Sequence, residues 1–129
     1  MIVIMGIIFF LSHQSGDDIT LPSFPGADKL AHMIAYGTLA LTVLWCYGAN
    51  GLDSPGRTVF FTVLFCFFYG ISDEFHQSFI ALRSVSIFDL LADTAGALCL
   101  SLIWMMNPVL QQKMLLYQRR LSKRFQFLN

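Results

Sequence analysis

The chain has 129 residues, of which 56% are hydrophobic and only 12% are charged. Soluble domains carry roughly 25% charged residues, so these charges are too few to cover a globule in water and a membrane protein is expected. The eight basic and eight acidic residues cancel, which argues against a basic protein with a nucleic-acid partner and against an acidic disordered chain.

The first two apolar stretches differ in length. Met1–Leu11 would rise only about 16 Å as a helix, half of a ~30 Å hydrocarbon core, so it is either an incomplete span or a short packed helix. It lacks a basic start and a small-residue cleavage site, so we expect it to be retained and not cleaved as a signal peptide. Leu30–Tyr47 is long enough to span and ends in aromatic residues typical of a membrane interface.

Two further stretches are predicted spans. The third begins at Thr58, runs to Ile71 and continues towards Phe79. The fourth, Ile87–Met106, is 20 residues long, and its Gly96 would permit close helix contact. The cysteines lie in apolar stretches without a C-x-x-C spacing, so we expect small buried hydrophobic residues and neither a disulfide framework nor a zinc ribbon. They are Cys46, Cys66 and Cys99.

The segment after Pro108 is basic and contains no acid. Its cations are Lys113, Arg119, Arg120, Lys123 and Arg124. On a helix its apolar residues share the other face: Leu110, Met114, Tyr117, Leu121 and Phe125. This pattern predicts a basic amphipathic helix on the cytoplasmic leaflet, with a partner-binding helix as the alternative.

The fold class expected is therefore all-α, an integral membrane bundle of about four transmembrane helices in residues 1–108, with a basic cytoplasmic amphipathic tail in 109–129. If the tail is inside, successive spans also place the N-terminus inside. The loop 12–29, with Asp17 and Asp18, is then outside, and the loop 49–57 is a tight inner turn.

Ionisable and amide residues gather at the predicted outer end of three spans. They are Asp28, Lys29, His32, Asp73, Glu74, His76, Gln77, Arg83, Asp89 and Asp93. A spacing of four residues places several of them on one face of each helix. These sets are Asp28-His32-Tyr36, Asp73-Gln77 and Asp89-Asp93. Such residues are costly at membrane depth and predict a functional site.

The charges of this cluster do not balance. Five carboxylates against Lys29 and Arg83 leave three negative charges if the histidines are neutral. A low-dielectric pocket therefore needs protonated carboxyls, charged histidines or a bound cation. A structural role is the alternative, since ion pairs and hydrogen bonds also hold small bundles together, and Asp28 is placed to cap a helix.

The order of these residues resembles the VanZ-like family of small membrane proteins. The matching residues are Ser12-x-Gln14-Ser15, Asp28-Lys29-Leu30-x-His32-x-x-x-Tyr36, Ser72-Asp73-Glu74-x-x-Gln77-x-Phe79, Arg83 and Asp89-x-x-x-Asp93-x-x-Gly96. The resemblance implies a membrane fold in the bacterial cytoplasmic membrane, a cell-envelope context and a link to resistance to the glycopeptide antibiotic teicoplanin. The chain departs from the family pattern at Leu82, where glycine is frequent, and at Asp93, where asparagine is frequent.

Three functions remain open at this stage. In the first, the site recognises an envelope lipid head group or a lipid-linked wall precursor. The ligand-binding residues would then be Asp28, Lys29, Tyr36, Gln77, Arg83 and Asp89. In the second, the protein is a hydrolase or transferase that uses Mg²⁺, Mn²⁺ or Zn²⁺ on a phosphate-containing lipid. The catalytic candidates would be His32, Asp73, Glu74 and Asp93, and the metal candidates Asp73, Glu74 and His76.

In the third, the cluster is structural and supports a homo-oligomer or a membrane-protein partner. Known catalytic signatures do not decide between these functions, because the chain contains no H-E-x-x-H, G-x-S-x-G or phosphate-binding glycine motif.

Overall fold

The computed structural model of the chain describes residues 1–15 and 24–126, without the side chains of residues 122 and 124–126. This part of the chain is helical and contains no strand, so the predicted all-α class is confirmed. The helices are α1 (Ile2–Ser12), α2 (Ala27–Tyr47), α3 (Asn50–Asp53), α4 (Pro55–Gln77), α5 (Ile87–Met106) and α6 (Pro108–Gln126). Asp17, Asp18 and the side chain of Phe125 lie outside the described residues.

Three helices, α2, α4 and α5, are long and apolar enough to cross a membrane. At 1.5 Å per residue, the 20 residues of α5 rise about 30 Å. The apolar helix α1 has only 11 residues, so a fourth span is not supported and the first stretch is a short helix packed on the others. Phenylalanines of α4 point away from the bundle, as expected for a face in contact with lipid. They include Phe60, Phe61, Phe68 and Phe75.

The predicted helix bounds hold for α5 and shift for its neighbours. The helix α2 begins at Ala27, three residues before the predicted start, so Asp28 and Lys29 belong to its first turn. Its N-cap is Gly26, which corrects the expectation that Asp28 caps the helix. Pro55 begins α4 because proline suits the first turn, where its missing N–H is not needed.

The closest helix contact joins α2 and α5, which pack more extensively than any other pair in the described chain. A Cβ on Gly96 would lie 2.1 Å from the Met33 carbonyl oxygen, and one on Gly37 would lie 3.2 Å from the Gly96 carbonyl oxygen. The absence of side chains at both positions lets the two backbones approach. The predicted role of Gly96 is therefore confirmed.

The core consists of two clusters along the bundle. Tyr36, Leu39 and Ala97 are buried in the first, and Leu44 and Trp104 in the second. Of the three cysteines, Cys66 is buried in the first cluster, whereas Cys46 and Cys99 are exposed on the bundle surface. The prediction that all three are buried was wrong for these two, because an apolar stretch does not indicate which residues face lipid.

The helices α3 and α6 close the end of the bundle at Trp45. The predicted tight turn contains the short helix α3. Gln111 of α6 donates from Nε2 to the carbonyl oxygens of Trp104 and Met105, at 3.0 and 3.1 Å, and Gln118 Nε2 donates to that of Trp45. Apolar residues of α6, including Leu110 and Met114, pack on the second core cluster. The basic helix is therefore attached to the bundle.

Candidate functional site

Four helix termini meet at the opposite end of the bundle. They are the C-terminal ends of α1 and α4 and the N-terminal ends of α2 and α5. Because consecutive long helices run in opposite directions, polar residues at these termini come to one level. The contacts described below confirm this predicted convergence.

Lys29 links the starts of α2 and α5. Its Nζ lies 2.7 Å from Asp28 Oδ2 and 2.6 Å from Asp89 Oδ1. The Asp89 side chain is only 12% exposed, whereas that of Asp28 is 49% exposed. One ammonium therefore serves two carboxylates, and Lys29 lies at a helix interface.

His32 and Asp93 form a second connection between α2 and α5, one turn deeper. His32 Nδ1 lies 2.9 Å from Asp93 Oδ1, and the Asp93 side chain is 1% exposed. The other Asp93 oxygen, Oδ2, is buried without a hydrogen-bond partner. A Cβ on Gly70 would lie 3.2 Å from this oxygen, so the glycine leaves open the space beside it.

The end of α4 supplies two carboxylates and an amide. Glu74 Oε2 accepts a hydrogen bond from the Ser86 backbone N–H at 2.8 Å, whereas Glu74 Oε1 is buried without a partner. Asp73 Oδ2 accepts from Gln77 Nε2 at 3.2 Å, and the same nitrogen lies 3.4 Å from Ser12 Oγ. No lysine or arginine within the described part of the chain pairs with Asp73 or Glu74.

Arg83 holds the end of α1. Its Nε donates to the Gln14 carbonyl oxygen and its Nη2 to the Leu11 carbonyl oxygen, both at 3.1 Å. The adjacent Leu82 has φ +61, the left-handed conformation that favours glycine. This backbone explains why glycine suits position 82 in the family pattern.

His76 lies apart from the carboxylates. Its Nε2 is 3.2 Å from His13 Nδ1, and its ring centroid is 4.4 Å from that of Phe9. The predicted metal set of Asp73, Glu74 and His76 is therefore not the set that the fold brings together. The group with metal-ligand spacing is His32, Glu74 and Asp93, whose ligand atoms all lie within 4.8 Å of one another.

A cavity of about 220 Å³ lies between α1, α2 and α4 beside this cluster. Its apolar lining includes Ile8, Leu11, Ala31 and Ala35. Its polar lining comprises Ser12, Asp28, His32, Tyr36, Asp73, Gln77 and Arg83. The cavity therefore combines a wall suited to hydrocarbon with groups suited to a polar ligand.

Sequence reasoning did not anticipate the contribution of α1 to the site. The carbonyl oxygens of Leu11 and Gln14 bind Arg83, and buried Ser12 contacts Gln77. Every residue has a backbone carbonyl, so the sequence could not predict which carbonyl oxygens bind Arg83. Ser12 did have a signal, because it belongs to the polar sequence that follows the first apolar stretch.

Three helices of spanning length around buried charged groups define a helical membrane protein. A model of the VanZ/LLP1 family matches residues 1–111, and the chain therefore belongs to this family. The chain is also similar to the uncharacterized protein C11E3.10 of Schizosaccharomyces pombe, with 30% identity over 118 residues. That alignment covers 91% of this chain and 64% of the relative, so the chain spans less than two thirds of the yeast protein's length. No solved structure matches the chain.

Proposed function

We propose that this VanZ-like protein binds the head group of an envelope lipid or a lipid-linked wall precursor at the polar end of its bundle. The observation that carries the proposal is the cavity of about 220 Å³, which has an apolar wall and a polar wall. Ligand sites commonly combine apolar linings with a few placed polar groups. In a membrane, a cavity with both kinds of wall suits an amphiphile.

The charges in the cavity favour a head group that carries a cation beside an anion. Asp73 has no basic partner within the described residues, so its carboxylate is available to an ammonium or hydroxyl group. Arg83 also lines the cavity, and a guanidinium has five N–H donors, of which the contacts to α1 use two. Its remaining donors suit a phosphate oxygen.

We propose that this end faces the outside of the bacterial cytoplasmic membrane, with the C-terminal helix α6 inside. The predicted inside position of the N-terminus depended on a fourth span and is not part of this proposal, because α1 is too short to span. The support is the position of α6, which is attached near Trp45 at the end remote from the polar cluster. Its cations Lys113, Arg119, Arg120 and Lys123 favour the cytoplasmic side by the positive-inside rule. The polar cluster then meets lipid head groups of the outer leaflet.

Native mass spectrometry of the protein extracted with its lipids tests head-group binding directly. We expect a phosphate-bearing lipid to remain on the wild-type protein and on Asp53→Asn, a matched control at the other end of the bundle. Asp73→Asn should reduce lipid occupancy about tenfold, equal to a loss of ~1.4 kcal/mol in binding. Equal occupancy in both variants would contradict the assignment of Asp73.

A second variant tests the volume of the cavity without changing its charged groups. Ala31 lines the cavity, so Ala31→Leu should fill part of it and lower lipid occupancy while every ionisable group remains. If Ala31→Leu and Asp73→Asn fold and bind lipid as the wild type does, the cavity is not the lipid site. That result would favour a structural role for the cavity-lining polar residues, in support of the bundle or an oligomer, over lipid binding.

The proposed link to glycopeptides is tested in cells. We expect expression of the wild-type protein in a susceptible host to raise the teicoplanin concentration that inhibits growth. Gln77→Ala should abolish this effect, because Gln77 is buried beside Asp73 in the cavity wall. Gln112→Ala, an exposed glutamine of α6, is the matched control. Unchanged susceptibility with wild-type protein in the membrane would contradict the link.

A further inference from the structure

We infer that His32, Glu74 and Asp93 form a binding site for one divalent transition-metal ion. One ligand atom from each residue lies within 4.8 Å of the others, although they come from three different helices. Metal–ligand distances of about 2.0–2.2 Å separate opposite ligands by up to ~4.4 Å, so a small side-chain adjustment would bring all three to one ion. This inference is independent of lipid binding.

Two unpaired carboxylate oxygens point to a missing ligand. Glu74 Oε1 and Asp93 Oδ2 are buried and have no hydrogen-bond partner, and the two residues are 5% and 0% exposed. A buried carboxylate oxygen without a partner is unfavourable, and buried charges are normally paired or coordinate metals. A metal ion would satisfy both oxygens at once.

The cations of the cluster are engaged elsewhere. Lys29 pairs with Asp28 and Asp89, and Arg83 binds the carbonyl oxygens at the end of α1. Within the described residues, neither cation lies within salt-bridge distance of Glu74 or Asp93. A divalent ion would neutralise the two carboxylates that these side chains leave unbalanced.

The proposed ligands are already oriented. The Ser86 backbone N–H holds Glu74 through Oε2 and leaves Oε1 free. His32 Nδ1 lies 2.9 Å from Asp93 Oδ1, close to the ~3 Å that separates neighbouring ligands of one ion, so an unprotonated Nδ1 and the Asp93 carboxylate can bind the same metal. Gly70 leaves room beside Asp93 Oδ2, where a side chain would crowd the carboxylate.

The donor set favours Zn²⁺ or Mn²⁺ over Mg²⁺. One of the three donors is an imidazole nitrogen, which suits transition metals, whereas Mg²⁺ prefers an all-oxygen shell with several waters. Three protein ligands leave at least one coordination position for water or substrate. Such an ion would supply the Lewis acid that a hydrolase or transferase on a phosphate-containing lipid requires.

The experiment uses the full chain without an affinity tag, in lipid nanodiscs, treated with chelator and then dialysed against ZnCl₂, MnCl₂ or MgCl₂. Elemental analysis should find one Zn²⁺ or Mn²⁺ per chain and at least about tenfold weaker binding of Mg²⁺. Glu74→Gln and Asp93→Asn should each weaken Zn²⁺ binding at least about tenfold. Asp28→Asn, a carboxylate of the same cluster outside the donor set, should retain the ion. Absence of bound metal in the wild type, or equal binding in Glu74→Gln, would overturn the inference.

A measurement on the wild-type protein keeps the test decisive if the variants do not fold. Electron spin-echo modulation of bound Mn²⁺ detects a directly coordinated nitrogen nucleus. We expect modulation from one imidazole nitrogen, since His32 is the histidine of the donor set. Manganese without nitrogen coupling would mean a carboxylate-only surface site and would reject the assignment.

Discussion

Leu82 occupies a backbone conformation that its side chain does not favour. Its φ of +61 lies in the left-handed region, which costs a residue with a Cβ roughly 1–2 kcal/mol. The side chain is 72% exposed, so little packing compensates for this strain. The turn is retained because the next residue, Arg83, is held by the end of α1.

Leu82→Gly should therefore stabilise the protein. Relief of the left-handed strain exceeds the extra unfolded-chain entropy of glycine, and we expect a net gain of about 0.5–1 kcal/mol. Chemical unfolding in mixed micelles measures the change. Leu82→Ala keeps the Cβ and should show no such gain, so a similar gain in both variants would reject backbone strain as the cause.

The contact between α2 and α5 depends on glycines, which have no side chain to hold the two backbones apart. Gly96→Ala would place a methyl group 2.1 Å from the Met33 carbonyl oxygen, and backbone atoms cannot turn away as a side chain can. We expect a loss of about 2–3 kcal/mol in the free energy of unfolding, as for overpacked cores. Unfolding titrations in micelles give this value.

Gly6→Ala provides the matched control for this prediction. Gly6 also lies within a helix, but a Cβ there would have no neighbour within 4 Å. Because alanine favours helix, this variant should be neutral or slightly stabilising. If Gly96→Ala changed the free energy of unfolding as little as Gly6→Ala, that result would contradict the close approach of α2 and α5.

The helix α1 is held by apolar packing, with Ile8 buried in the first core cluster, and by polar contacts at its end and along its length. One of these is the hydrogen bond from the Tyr69 hydroxyl to the Met5 carbonyl oxygen, at 2.8 Å. Arg83→Gln should loosen α1, because glutamine does not reach both carbonyl oxygens that the guanidinium binds. Spin labels at Ile7 and Ile34, both exposed, should then show a broader distance distribution.

Arg57→Gln is the control for this measurement. Arg57 is exposed near the start of α4, at the end of the bundle remote from the contacts between Arg83 and α1. The spin-label distances should keep their wild-type distribution in this variant. Equal broadening in both variants would show that loss of a surface arginine, and not loss of the Arg83 contacts, loosens the helix.

At the scale of the whole molecule, the carboxylates of the polar cluster and the cations of α6 lie at opposite ends of the bundle. The acidic cluster lies where α4 ends and α5 begins, whereas the basic helix α6 lies near the end of α2. Such a polarity is expected of a protein that meets different surroundings at its two ends. This separation of charge also predicts the orientation of the bundle in the membrane, with the basic end on the cytoplasmic side.

Labelling with a membrane-impermeant maleimide tests the proposed orientation. In a cysteine-free background, Ser84→Cys should react in intact cells, because it lies in the exposed connection beside the polar cluster. Asp53→Cys, at the other end, should react only after the cells are permeabilised. The reverse pattern would place the polar cluster inside and would reject the proposed access to outer-leaflet lipids.

Much of the site could be predicted from residue spacing. The four-residue interval between Asp89 and Asp93 places both on the inner face of α5, and both are buried. Spacing could not tell whether Glu74 or His76 turns inward, since each lies off the face of Asp73 by a large angle. Packing decided it: Glu74 is buried at the start of α5, whereas His76 stacks beside Phe9.

The sequence by itself determined the class of protein, the bounds of α5 and the end of the bundle where charge collects. Length, apolar composition and helical period are local properties, and burying unpaired charge in a membrane is costly wherever it occurs. Only the tertiary structure decided which carboxylates have partners and that α1 closes the cavity. Those outcomes depend on distances between side chains on different helices, such as His32 and Asp93, which the linear order does not contain.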